Sequence, residues 1–383
     1  MINPDIQSKS LIKSDNATTL AIVIIAAIVP SLLLMGPVVA SQLATERHMT
    51  PSAIGLLFMA ENGAMSLATL PALFWLSRYN LKTISLFFGA VFILANLASM
   101  SVDSATSLII TRVISGVAGG SLMVICMTSA SMLPKPDRAY GLWIFGQLGL
   151  GALGLSILPS LFQEFGLKVF FLAMAILMLI CLPLTRLLPA TITKGHPESD
   201  APSRISRRAI IGLIAILLFY ISLMGVWTFI GSIASSIGMD SQTSGNVLAI
   251  ATLFGIAGAG VATLLGGRRR YTWLLIVGYG LMMLGIIILL SPNSTMFSLA
   301  AFSFKFAWTF SLPFILATLS KLDRNGQVMN LSNLVIGGGI AIGPMVAGLM
   351  IEKFGGFHSV LIFALVLAFT SLLLTLYLQP KTQ

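Results

Sequence analysis

Twelve stretches of this chain are each long and apolar enough to cross a bilayer, and no other feature restricts its fold as strongly. A spanning helix needs about 20 predominantly apolar residues, and it satisfies its own backbone where no water is at hand. The runs are 18–40, 52–76, 83–101, 105–131, 139–161 and 168–188, then 209–235, 243–266, 271–291, 295–319, 328–351 and 357–378. With 57% of its residues hydrophobic and 9% charged, the chain could not clothe a water-facing surface, which ordinarily needs about 25% charge. The expected fold is therefore an all-α membrane protein with twelve transmembrane helices. The first run lacks the short apolar core and cleavage site of a secretory signal, so it is expected to remain as a span. The polar segment before Ala17 is expected to be mobile.

The connections are short except for 189–208, whose Pro, Ser and charged residues mark a cytoplasmic linker between two six-helix halves, 1–188 and 209–383. Charge then sets the orientation. With both termini in the cytoplasm, Arg47, Lys168 and Lys353 fall outside and Arg112 and Lys305 within spans, leaving 17 of the 22 Lys and Arg residues on the cytoplasmic side. The same asymmetry accounts for the net charge of +10 without nucleic acid. Arg268, Arg269 and Arg270 read as a topology determinant beside anionic headgroups. Cys126 and Cys181 lie in apolar runs without metal-ligand spacing and read as structural thiols.

The fifth and eleventh spans resemble one another. Both follow an Asp-Arg pair, Asp137-Arg138 and Asp323-Arg324, and a shift of 189 residues superimposes Gly149 on Gly338, Gly154 on Gly343 and Phe165-Gly166 on Phe354-Gly355. Parallel six-helix halves with a binding site near the midplane are a known transporter plan. In the fourth span "LIITRVISGVAGG" (Leu108–Gly120) sets Arg112 ahead of Gly116 and Gly119; in the eleventh, "GIAIGPMVAG" contains a Gly-Pro element. With these motifs the whole chain resembles the major facilitator superfamily. The family's loop signature between the second and third spans is degraded to "LSRYNLK", which keeps Arg78 and Lys82 but has Ser77 for Asp and Asn80 for Gly. The resemblance implies gating roles for Arg78, Lys82, Arg268 and Arg269, and the missing Asp puts the family's charge latch in question. Gly116, Gly119, Gly120, Gly339 and Gly343 suit close helix packing, and Pro30, Pro313 and Pro344 are candidate kinks and hinges.

Three ionisable residues lie well inside spans, each roughly 11–15 Å from the outer surface at about 1.5 Å per residue: Glu61, Arg112 and Lys305. A charge at that depth costs at least about 2.5 kcal/mol on insertion scales, so each is expected to face a partner or a wet cavity. Glu61 and Arg112 match in depth and oppose in sign. They are expected to pair, as a static salt bridge or as a proton-coupling unit. Lys305 has no acid left to it. It shares a helix face with Trp308 and Thr309, while Tyr220, Met224 and Trp227 share one on the seventh span; these are candidate substrate contacts, though such aromatic stripes also serve packing. Gln147 and Asn96 stand between interhelical hydrogen bonding and substrate contact.

The leading expectation is a secondary active transporter moving a small organic solute by alternating access. It is expected to be proton-coupled, and the resemblance suggests a bacterial inner-membrane exporter of a drug or metabolite with an anionic or zwitterionic group. A uniporter of a neutral or apolar solute is the alternative; an enzyme or channel is remote. No His-Glu-x-x-His, nucleophile elbow, P-loop or dinucleotide fingerprint occurs, and His48, His196 and His358 lie at or beyond span ends. The expected partners are the solute, protons and the lipid bilayer, with no cofactor or metal, and the chain is expected to be a monomer.

Overall fold

The structure is a computed structural model; it describes residues 4–191, 205–266, 271–323 and 327–379. Arg268, Arg269 and Arg270, and most of the linker 189–208, lie outside the described residues. Every regular element among those described is helical. Among the described residues eleven helices are long and apolar enough to cross a membrane. Span two is Pro51–Leu67 continued by Thr69–Trp75, span three Leu81–Ser101, span four Ala105–Ser131 and span five Pro136–Phe165; span six is Lys168–Cys181 with a 3₁₀ turn, Leu182–Leu187. Spans seven to twelve are Arg207–Ser236, Ser241–Leu265, Tyr271–Ile288, Ser294–Ser320, Gln327–Phe354 and Phe357–Tyr377.

The first span departs from a single rod. It runs as Pro4–Ile28, Ser31–Leu34 and Gly36–Glu46. Pro30 has no N–H to give and its ring crowds the preceding carbonyls, so the helix stops before it; the Ser31 hydroxyl then donates to the Ile28 carbonyl at 2.5 Å. By contrast Pro159, Pro313 and Pro344 sit inside uninterrupted helices. The polar N-terminal segment is helical from Pro4 onward rather than a separate loose tail.

Local chemistry explains where several spans begin. Asn80, Ser104, Ser206, Asp240 and Asn293 are N-caps whose side chains accept from Lys82, Ser107, Ala209, Thr243 and Met296 N–H groups. These short polar side chains satisfy helix donors that otherwise have no partner. Asn80, the residue that replaces a glycine of the family loop, is thus the cap of the third span.

Contacts group the chain into two compact units. The first contains Met1–Leu34, Ala64–Leu150 and Lys168–His196; the second contains Met35–Gly63, Gly151–Leu167 and Pro197–Gln383. Within the first, span three packs on spans four and six, and span one on four and six. Within the second, span nine packs on ten and twelve, and span seven on ten and twelve. The same neighbours recur six spans later. This is the pseudo-symmetry that the glycine repeat foreshadows, reached independently in each unit. Large apolar side chains such as Phe74, Leu94, Phe145, Ile180, Leu264 and Trp273 remain exposed, which suits lipid and not water.

The second unit also joins helix ends from both sequence halves. A Cβ at Gly55 would strike the Pro344 carbonyl, and one at Gly348 the Pro51 carbonyl. Gly231 meets Pro37, and Gly245 meets Leu155 and Pro159, in the same way. Polar bonds reinforce these crossings: Glu352 Oε2 accepts from Ser52 N–H at 3.3 Å, Ser156 Oγ donates to Asn246 Oδ1 at 2.7 Å, and Gln242 Nε2 donates to the Ser156 carbonyl at 2.7 Å. Backbones touch where glycine removes the side chain between them.

Candidate functional site

Among the described residues two buried cations organise the interior, one in each unit. In the first, Arg112 on span four is 1% exposed. Its Nη1 donates to Asn96 Oδ1 at 3.2 Å, and its Nη2 to Ser99 Oγ at 2.7 Å and to the Ala95 carbonyl at 3.2 Å. The guanidinium carbon lies 4.8 Å from the Phe171 ring centroid. Asn96 in turn donates to the Phe92 carbonyl, and Ser99 to Thr111 Oγ1, so span three offers Arg112 a prearranged set of acceptors. A planar fork of N–H groups suits that arrangement.

Small residues bring span four this close to its neighbours. A Cβ at Gly120 would enter the Met65 carbonyl, and one at Gly119 would come within 2.8 Å of Val29 Cγ1. Gly116 is buried on the same helix. Of the residues left open between packing and substrate contact, Asn96 spends both ends of its amide within the protein, and Gln147 Nε2 donates to the Ala26 carbonyl at 2.9 Å. Both make interhelical hydrogen bonds. Sequence reading missed Ser99 and Phe171; the Asn96-x-x-Ser99 spacing, one helix face, was the available signal for Ser99.

In the second unit Lys305 on span ten is 3% exposed. Its Nζ lies 3.8 Å from the Trp227 ring centroid and 3.9 Å from that of Trp308. The two indoles meet edge to face, centroids 6.1 Å apart at 73°. The Trp308 side chain also comes near the Tyr220 hydroxyl. The arrangement is a cation–π clamp. Among the described residues no acidic side chain pairs with Lys305.

Glycines on span eight set the clamp's position. A Cβ at Gly255 would lie 3.2 Å from Lys305 Cγ, and one at Gly258 would collide with the Phe306 carbonyl. Thr309 donates to the Gly255 carbonyl at 2.6 Å, so its hydroxyl fastens span ten to span eight. On the far side, a Cβ at Gly339 would approach Tyr220 Cβ to 2.6 Å and one at Gly343 the Ile221 carbonyl to 2.8 Å, which seats span eleven against span seven. Lys305, Trp227, Trp308 and Tyr220 therefore come together, while Thr309 serves their scaffold.

Glu61, 3% exposed on span two, belongs to the second unit and Arg112 to the first. Beside Glu61, Asn62 donates to the Phe58 carbonyl at 2.9 Å. Arg78 is exposed at the turn between spans two and three, and Lys82, half-buried, lies in the first turn of span three.

The family model for the Major Facilitator Superfamily matches residues 19–325 and, in a second alignment, 212–383. The chain belongs to this superfamily. Its fold is matched by the solved nucleoside transporter NupG, at a TM-score of 0.73 and 12% identity over 95% of this chain and 98% of that one. A bacterial homologue of the human lysosomal transporter Spinster, solved inward-facing and unoccupied, matches at a TM-score of 0.70 and 13% identity over 95% and 97%. A sequence comparison with curated proteins finds no match. The superfamily makes this chain a multi-pass membrane transporter of small molecules, not an enzyme.

Proposed function

We propose that this superfamily member is a secondary active transporter which moves a small organic solute with an anionic or zwitterionic group by alternating access, and that protons drive it. One observation carries the reading: a lysine buried at the middle of span ten, clamped by Trp227 and Trp308, with no acidic partner among the described residues. An ammonium so placed can leave the indole faces for a solute carboxylate or phosphate, and Tyr220 and the indoles can then line the solute's apolar body.

Glu61 and Arg112 supply the coupling in this proposal: protonation of Glu61 changes the charge that Arg112 senses, and the sequence halves 1–188 and 209–383 rock about the linker 189–208. The glycine crossings of spans one, two and five with spans seven, eight and eleven act as one gate, and the basic loops bearing Arg78, Lys82, Arg268 and Arg269 sit at the other. The chain works as a monomer in a bacterial inner membrane with both termini in the cytoplasm, and export is the proposed direction.

Proteoliposomes with an imposed pH gradient, screened against organic anions, zwitterions and neutral solutes, test this. Gradient-driven accumulation of an anion or zwitterion is expected. Glu61→Gln is expected to lose accumulation and keep exchange. Lys305→Met is expected to weaken binding of the same solute. Accumulation of neutral solutes alone, unchanged by Lys305→Met, overturns the substrate reading. Thiols placed at His196 and Asp103 are expected to label from the cytoplasm and the outside respectively; the reverse pattern overturns the orientation.

A further inference from the structure

Away from both cations, the first unit contains a cavity of about 580 Å³. Asp15, Asn16 and Thr19 of the first span line it, together with Lys135 and Arg138 at the start of the fifth span. Its apolar wall includes Leu20, Val23 and Leu142. The volume falls within the roughly 300–1,000 Å³ of small-molecule sites. Among the described residues, none of the three charged side chains is in a hydrogen bond or ion pair. Thr19 donates its hydroxyl hydrogen to the Asp15 carbonyl at 2.8 Å, which leaves its oxygen free to accept.

The charges sit at the bilayer boundary by their position in the chain. Asp15 opens the apolar stretch Asp15–Ile28, and Lys135 and Arg138 flank the first residues of the Pro136–Phe165 helix. One turn further in, Tyr140 and Trp143 pack with centroids 6.0 Å apart, an aromatic pair at the depth where such rings meet headgroups. The N-terminal end of the fifth span adds its own partial positive charge beside the two basic side chains.

We propose that this cavity binds the headgroup of a membrane phospholipid carrying a primary ammonium, its phosphodiester against Lys135 and Arg138 and its ammonium against Asp15. Two cations and one carboxylate lining one cavity match a phosphate and an amine on a single short headgroup, and Asn16 Oδ1 and the Thr19 oxygen accept further N–H bonds. Leu20, Val23 and Leu142 receive the upper acyl chain. A trimethylated ammonium has no N–H to donate, so the same site discriminates against phosphatidylcholine. Phosphatidylglycerol has no cation for Asp15.

Native mass spectrometry of the full detergent-solubilised chain, supplied with equal amounts of phosphatidylethanolamine, phosphatidylcholine and phosphatidylglycerol, tests it. Phosphatidylethanolamine is expected to be retained about five-fold over either competitor, the value of one net hydrogen bond. Lys135→Gln with Arg138→Gln is expected to abolish that retention, and Asp15→Asn to erase the preference over phosphatidylcholine. Equal retention of the three lipids by the wild-type chain overturns the proposal, and this arm needs no variant to fold. Displacement by free phosphoethanolamine at equal concentration also overturns it, because the ligand would then be a soluble zwitterion. The outcome is independent of transport and of the Lys305 reading.

Discussion

Spans four and ten occupy equivalent places in the two halves and each buries one cation, yet the two are held by different chemistry. Arg112 is fixed by acceptors on span three, with side-chain and backbone oxygens at 2.7–3.2 Å. Lys305 rests on the faces of Trp227 and Trp308. Hydrogen bonds are directional and expensive to leave half-made in a buried site, whereas a ring quadrupole attracts without fixing donor geometry. The first arrangement staples two helices. The second holds a charge that can be exchanged for a ligand's.

Removing the cations separates the two most sharply. Arg112→Met strands buried acceptors and is expected to cost about 3 kcal/mol or more, by analogy with breaking a buried charged contact. Lys305→Met exchanges a desolvated ammonium for an apolar side chain of similar length and is expected to lie within about 1 kcal/mol of wild type. Thermal unfolding in detergent decides this, and equal shifts for the two variants would break the comparison.

The scaffolds should differ less. Gly258→Ala drives a methyl into the Phe306 carbonyl, and overpacking of that kind costs about 1–3 kcal/mol. It is also expected to change tryptophan fluorescence, since span ten carries Trp308. A Cβ at Gly260 would meet nothing within 4 Å, so Gly260→Ala two residues along is expected to be neutral or slightly stabilising through helix propensity, within about 1 kcal/mol. Matching losses for both would show that span eight does not set the clamp by close approach.

A smaller effect is expected from Trp227→Phe, which keeps a ring but weakens the π face; about 1 kcal/mol, a part of the roughly 2 kcal/mol of a desolvated cation–π contact, is at stake. Binding of an anionic solute should fall less than in Lys305→Met, and a larger fall would mean that the indole rather than the ammonium supplies most of the solute's binding.

The smallest effect lies outside the membrane. Asp240 caps span eight, and its hydrogen bonds with Thr243 hold its carboxyl below the usual carboxylate range. A lowered folded-state value means that the contribution is present above the ordinary Asp value and is lost as pH falls through the lowered one. The unfolding temperature of wild type should therefore decline slightly on acidification over that interval. Asp240→Asn should flatten that part of the profile; an unchanged profile would remove the cap from the account.

How much was legible varied with the range of the interaction. The run of apolar segments yielded spans two to twelve to within a few residues, though not the first, which runs from Pro4 to Glu46 in three helices, and Gly-containing repeats led to the superfamily. Pro30 was legible as an interruption, but Pro313 and Pro344 were not distinguishable from it, because whether a helix continues through proline depends on what its neighbours supply. Lys305 with Trp308 was legible as one helix face. That Trp227 comes from span seven to close the other side was not.

Sequence alone determined the class of the molecule, because each span satisfies its backbone internally and its apolar length is a local quantity that the bilayer reads directly. It also determined which residues carry charge into the interior. Tertiary structure decided what those charges touch: Asn96 and Ser99 became acceptors for Arg112, Thr309 a fastening between spans eight and ten, and two distant indoles a clamp for Lys305. These outcomes depend on which glycine faces which backbone across a helix crossing, and a contact between residues far apart in the chain leaves no periodic trace in either segment.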